Sequence, residues 1–234
     1  MFQSIQSANF LYRGSKGHKS IVLDAIKGEQ VQLLRDRLEA FWMEFITEGM
    51  QIGFRNLTQT ISAAAQLGSV RANVQRFYTN ESQGTEFNTI IYQFLKAGFQ
   101  ERDKETLFVN KWLQEFQIAD KLHIERDIQG VGSRIYMAKS EEKTLLADLG
   151  YGVTQFLPIL FKIAVLAREN YSGRIDMFRP SILMIEEPET NLHPRFQSLL
   201  ADLFFDASRS FNIQFILETH SEYLIRKFQY LVGK

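Results

Sequence analysis

Near the carboxyl end, Ile182-Leu183-Met184-Ile185-Glu186-Glu187-Pro188-Glu189 puts adjacent carboxylates directly behind an apolar run. That run reads as a strand buried on both faces, and alternation along a strand sends Glu186 and Glu187 in different directions. One can face hydrated Mg2+ while the other orients a water at a reacting phosphate, as phosphoryl transfer requires. A core strand followed by a solvated acidic turn would look the same, so the pair alone leaves both readings open.

Phe215-Ile216-Leu217-Glu218-Thr219-His220-Ser221-Glu222 repeats the arrangement of apolar run and polar tip. Thr219 and Glu222 have capping-box spacing. His220 is either a surface residue or a donor to a terminal phosphate oxygen. In Asp148-Leu149-Gly150-Tyr151-Gly152-Val153-Thr154-Gln155, two glycines allow close backbone approach to a ligand. A helix behind them would offer free N–H groups to an anion. Thr190-Asn191-Leu192-His193-Pro194 is a polar turn whose proline suits the first turn of a helix with the stripe Phe196, Leu199, Leu200, Leu203 and Phe204.

The elements that must position these clusters follow from periodicity. A helix is expected over about Thr154–Arg168, strands over Ser181–Ile185 and Ile213–Leu217, and helices over Pro194–Ala207 and His220–Tyr230. Strand and helix alternating at this spacing predict parallel strands in an α/β layer, with functional groups beyond the carboxyl ends of the strands. Upstream, apolar positions from Val31 to Ile46 predict a helix over Glu29–Met50, and Leu57–Leu67 reads as a second helix stopped by Gly68. Helices near Asn88–Ala97 and Glu105–Phe116 and a hairpin over 121–139 complete the pattern. The expected lobes are a mainly helical 1–140 and a motif-bearing 141–234.

The order of the clusters resembles the C-terminal lobe of ABC-type ATPases, in the branch that holds RecF, SMC and OLD (overcoming lysogenisation defect) proteins. Gly-Tyr-Gly-Val-Thr-Gln-Phe-Leu-Pro, Glu-Glu-Pro-Glu-Thr-Asn-Leu-His-Pro and Glu-Thr-His-Ser-Glu-Tyr-Leu look like OLD-like bacterial AAA-family ATPases. The segment Leu67–Arg71 through Arg76-Phe77-Tyr78 is similar to one that precedes the signature region there. The likeness spans about residues 60–230 and is firmest from 145 onward.

The resemblance implies a P-loop-NTPase-like fold binding ATP and Mg2+. By that likeness Gly150, Gly152, Thr154 and Gln155 form the signature loop, with Asn191 in the D-loop. Glu186 would be the Mg2+-facing carboxylate, where relatives carry aspartate; Glu187 would be the catalytic glutamate and His220 the switch histidine. The family's ATP sites form between head-to-tail protomers, so a second ATPase protomer or a chain carrying Walker A is the implied partner. A nuclease effector in DNA repair or phage defence is implied too.

Gly14-Ser15-Lys16-Gly17-His18-Lys19-Ser20 has the composition of a Walker A loop but not its register, since Gly-x-x-x-x-Gly-Lys-Ser/Thr would need glycine at Arg13 and His18. With no toprim-like segment before Lys234, the chain is expected to be a truncated protein, a domain or a remnant, inactive alone. The alternative is a non-catalytic dimerisation module, and a third reading is a metal-dependent nuclease using Glu186, Glu187, Glu189 and Glu218.

Composition sets the outer limits. The 234 residues carry 27 basic and 27 acidic side chains, so no global field favours nucleic acid. Arg71, Arg76, Phe77 and Tyr78 are the local candidates for DNA contact, against a reading as lobe-packing residues. No cysteine is present, which excludes thiolate metal sites and fits a cytoplasmic location. Met1–Tyr12 lacks the pattern of a secretory signal, and Phe156–Ala167 is short for a bilayer span, so no membrane is expected.

Overall fold

A computed structural model of the chain describes residues 11–12, 19–20, 28–62, 64–71, 73–79, 85–127, 131–171 and 180–233. Contacts group Met1–Thr58 as one compact unit and Gln59–Lys234 as another. The units drawn by contacts therefore differ from the expected lobes: residues 59–140 share a core with the motif-bearing segment. Residues 14–18 of the Gly14–Ser20 run lie outside the described residues.

The first unit holds the antiparallel pair β1 (Leu11–Tyr12) and β2 (Lys19–Ser20), then most of α1 (Gly28–Ser62). The two helices expected at 29–50 and 57–67 are one helix of 35 residues. Gly49 and Gly53 lower helix propensity without ending it, because the residues around them remain ordinary helix formers. The second expected helix fails at its end for a tertiary reason. Ala65–Leu67 forms strand β3, paired in parallel with a later strand, and that pairing overrides the local preference of an alanine-rich stretch.

The second unit continues with β4 (Tyr78–Thr79), α2 (Glu86–Lys96), α3 (Lys104–Glu115), β5 (Lys121–Arg126), β6 (Gly132–Lys139) and β7 (Glu142–Leu145). A 3-10 turn at Leu146–Asp148 leads to α4 (Tyr151–Tyr171), then β8 (Ser181–Glu186), α5 (Pro194–Phe211), β9 (Ile213–Glu218) and α6 (Glu222–Val232). The hairpin read at 121–139 is β5 and β6, and β4 and β7 flank β6 in the same antiparallel sheet.

The sheet that carries the motifs is parallel, in the order β3–β8–β9. Its register aligns Leu67 with Ile185 and Glu186 with Glu218, so all the strands end at one edge. With helices packed around the strands, this is the expected α/β architecture. One expectation fails in detail. Ser181, Leu183 and Ile185 are buried, but Ile182 and Met184 on the opposite side of β8 are only half-buried, as are Phe215 and Leu217 of β9. A parallel sheet is normally covered on both faces.

Helix α4 is the centre of the core. Phe156, Leu157, Ile159, Leu160, Phe161 and Ile163 are each at most 1% exposed, and α2, α3 and α5 pack around them. Each such side chain contributes roughly 1.5–3 kcal/mol by leaving water. Tyr151–Asn170 is long and apolar enough to cross a bilayer, but most of it is buried inside the protein. Here that apolarity is spent on the fold's own interior.

Candidate functional site

The polar residues collect at the carboxyl edge of the parallel sheet. Glu186 ends β8 and accepts a 2.9 Å hydrogen bond at Oε1 from Gln66 Nε2 on β3. Glu187, the next residue, has φ +44, in the left-handed region that non-glycine residues seldom occupy. Four hydrogen bonds hold it there. Its N–H donates to Glu218 O at 2.8 Å, and its carbonyl accepts from Thr190 N at 3.1 Å and from Arg71 Nη2 at 2.9 Å. Its Oε2 accepts from Thr190 Oγ1 at 3.0 Å, which fixes the side chain as well as the backbone. Such a conformation costs of order 1–3 kcal/mol and persists only where the surroundings impose it.

Thr190 makes two of the four bonds on Glu187, and Arg71 ties the residue to the elements around it. Arg71 is 2% exposed, and its guanidinium donates to the carbonyls of Gly68 and Glu186 at 2.6 Å, Glu187 at 2.9 Å and Gln155 at 3.2 Å. Its own N–H donates to Gln155 Oε1 at 2.9 Å. One side chain thus ties the end of β3, the tip of β8 and the first turn of α4. Burial lowers the Arg71 pKa, opposed by the negative charges of Glu86, Glu189, Glu187 and Glu186. The nucleic-acid reading of Arg71 and Tyr78 is overturned, since both side chains are buried. Arg76 stays exposed and pairs with Asp148, and Phe77 packs beneath Arg134.

His220 follows the end of β9 and is exposed. Its N–H donates to Glu189 Oε1 at 2.8 Å, which links the turn after β8 to the turn after β9. Glu189 is 8% exposed, and its Oε2 has no hydrogen-bond partner. The cap of α6 is Ser221, whose Oγ accepts from Leu224 N at 3.2 Å. The expected Thr219/Glu222 capping box is thereby corrected. Thr219 instead accepts from Ser221 N, two residues ahead of the position that caps the helix.

The glycine turn is the first turn of α4 rather than a loop ahead of it. A β-carbon on Gly152 would lie 2.5 Å from the carbonyl oxygen of Asn191, so only glycine allows this contact between the start of α4 and the turn after β8. Asn191 itself has φ +61 and is exposed. Gly150 opens to empty space. Thr154 and Gln155 are buried, and their polar groups are used internally. Thr154 Oγ1 donates to Tyr151 O at 2.9 Å, and Gln155 Nε2 donates to Tyr151 Oη at 2.9 Å. They brace the turn and leave no free group toward a ligand.

The structure brings Glu186, Glu187 and His220 to one sheet edge, and sets Gly152 in the first turn of α4 against Asn191 in the turn after β8. Sequence reasoning assigned no individual role to Gln66 or Thr190, placed Glu189 only in the metal-nuclease reading, and left Arg71 between DNA contact and lobe packing. The available signal for Arg71 was its place just after an apolar strand, where a long cation can reach several chain ends at once. Among the described residues, no three His, Asp or Glu side chains are grouped to hold a metal by themselves.

Comparison with known proteins gives a family. Residues 19–225 match the model of the AAA ATPase domain. The chain is similar to endonuclease GajA of Bacillus cereus (strain HuB5-5), with 25% identity over 138 residues. The match covers 53% of this chain and 20% of that protein, so the chain spans about a fifth of its relative's length. Among solved structures it is similar to an Smc head bound to the C-winged helix domain of ScpA, at 11% identity and a TM-score of 0.42, covering 59% of this chain and 43% of that one. It is also similar to an Smc head domain with an extended coiled coil, bound to the C-terminal domain of ScpA and derived from Pyrococcus furiosus. That match has 12% identity and a TM-score of 0.39, and covers 53% and 29% of the two chains.

Proposed function

Because the chain belongs to the AAA ATPase domain family, we propose that the carboxyl edge of the β3–β8–β9 sheet is the water-orienting half of an ATP site completed by another polypeptide. The observation that carries this reading is Glu187, held at φ +44 by four hydrogen bonds with its carboxylate fixed by Thr190. A strained residue whose neighbours over-determine its position is characteristic of a working site.

The residues present suit the phosphate end of a nucleotide. Glu186 is a half-buried carboxylate with one oxygen held by Gln66, which leaves the other for a hydrated Mg2+. The Glu189 Oε2 lacks a partner, and a carboxylate oxygen in that state accepts readily from ordered water. Bound Mg2+ would neutralise charge on the phosphate oxygens. Glu187 orients the attacking water through the oxygen that Thr190 leaves free. His220, anchored through its N–H by Glu189, reaches a terminal phosphate oxygen with its exposed ring. Gly150, Gly152 and Asn191 line the turn that faces a nucleotide bound mainly by the second protomer, and Thr154 and Gln155 keep that turn in shape.

The sequence contains no Gly-x-x-x-x-Gly-Lys-Ser/Thr run, so the phosphate cradle has to come from elsewhere. Similarity to an endonuclease supports a nuclease as the effector that ATP turnover controls, with DNA as the substrate of that effector and phage defence or DNA repair as the setting. The same missing run favours a second reading, in which the chain is a dimerisation module without turnover. Titration with Mg·ATP separates the two. The composite-site reading expects no turnover from the chain alone, and both tight nucleotide binding and turnover once a Walker A-bearing protomer is added. Nucleotide indifference in the presence of that protomer supports the module and overturns the ATP-site reading.

A further inference from the structure

Helix α1 exposes an apolar surface that no part of the ATP-site reading uses. Leu38, Phe41, Trp42, Phe45 and Ile52 are each between 56% and 61% exposed, although a side chain of these types is normally buried. Leu38, Trp42, Phe45, Gly49 and Ile52 recur at i, i+4, i+7, i+11 and i+14, which is one continuous stripe of a helix. A solvated stripe of this length marks an interaction surface. The occupant must match a helix of 35 residues, roughly 52 Å long.

We propose that the stripe of α1 binds α1 of a second copy of this chain, antiparallel, in a contact separate from the ATP site. The shape of the stripe selects that occupant and that direction. Its rings lie toward the amino-terminal side, with Phe41, Trp42 and Phe45 already touching one another at centroid distances of 6.0–6.3 Å. Its gap lies toward the carboxyl side, where a β-carbon on Gly49 would meet nothing within 4 Å.

Two parallel copies would set ring on ring and glycine on glycine, giving a bulge beside a void. Turned antiparallel about a point between Met43 and Glu44, each Trp42 lies against Phe45 of the second copy and each Leu38 lies over the open Gly49. Large against small is how close-packed helix pairs fill space. Each ring can bury roughly 150–250 Å² in full. More than half of each is open here, so the rings alone supply several hundred Å² of the roughly 800 Å² per partner usual in a stable interface.

The chain has no cysteine, so introduced thiols report position without interference. The test is oxidation of the full chain carrying Leu38→Cys, Gly49→Cys, or both. In the antiparallel pair, each residue of the double variant faces the other across the interface. Each single variant is separated from its own copy by about 16 Å along the axis, at 1.5 Å per residue. The expected result is a covalent dimer from the double variant, at least tenfold more than from either single one. Light scattering should read twice the 27.2 kDa chain mass at micromolar concentration, and Trp42→Glu should shift dimerisation at least tenfold without loss of helical content. Efficient crosslinking of both single variants would mean a parallel pair and overturn the proposal. A monomer by scattering, with no crosslink from any variant, would mean that another segment or protein covers the stripe, and would overturn it equally. Neither outcome depends on whether the chain binds ATP.

Discussion

Helices α4 and α1 are both rich in large apolar residues, yet Phe156, Leu157 and Phe161 of α4 are at most 1% exposed while Phe41, Trp42 and Phe45 of α1 are each more than half exposed. The difference does not lie in how apolar the residues are. It lies in the sequence partners that each helix finds within the chain. Around α4, helices α2, α3 and α5 supply the complementary faces, and the same packing fixes the glycine turn against Asn191. Apolar periodicity therefore identifies the face that must be covered without identifying what covers it.

The contrast can be broken at its strongest point first. Arg71→Ala removes the side-chain donor shared by the carbonyls of Gly68, Gln155, Glu186 and Glu187, cutting the tie between three elements and leaving Glu187 O with the Thr190 N–H alone. A loss of about 3–5 kcal/mol is expected in denaturant unfolding of the chain. A loss below about 1 kcal/mol would show that the site edge is not held from within.

Next comes Tyr78, whose pKa burial pushes up from 10.0 to about 12. The fold disfavours the charged phenolate, so this contribution is complete below pH 10 and is lost as pH rises from 10 to 12. The expected loss is about 2–3 kcal/mol across that window, checked by unfolding at stepped alkaline pH against Tyr78→Phe. A flat profile for the native chain, matching that of Tyr78→Phe, would contradict the burial.

Gly152→Ala should cost about 1–3 kcal/mol, because a β-carbon at 2.5 Å from the Asn191 oxygen forces the turn after β8 to move. The smallest effect belongs to α1. Phe54 is 73% exposed and lies off the stripe, so Phe54→Ser should change stability by less than about 0.5 kcal/mol. A large loss there would mean that the off-stripe face of α1 is covered as α4 is.

Much of this was legible in the residues, and unevenly so. The strand–turn–helix order after residue 145 could be read because β8, α5 and β9 have uniform periodicity and clear stops. Asn212 is one of these stops, taking φ +54 beyond α5. The placement of Glu186 at the end of β8, and of Glu187 and His220 beyond the strand ends, followed from that order. What could not be read was anything set by distant pairing. Ala65–Leu67 looks helical until β8 lies beside it, and the start of α4 looks like a loop until Gly152 meets Asn191. Arg71 could be taken for a surface cation because nothing near it in sequence shows that four carbonyls from three elements converge on it.

Glu187→Gln, compared with the native chain in an assembly that includes a Walker A-bearing protomer, tests the central claim most directly. The amide keeps the size and the Thr190 contact but cannot orient water as a carboxylate does. ATP turnover should fall by at least about 10²-fold while ATP-dependent assembly is retained. Turnover within about twofold of the native assembly would contradict the assignment of Glu187 and, with it, the reading of this sheet edge as half of an ATP site.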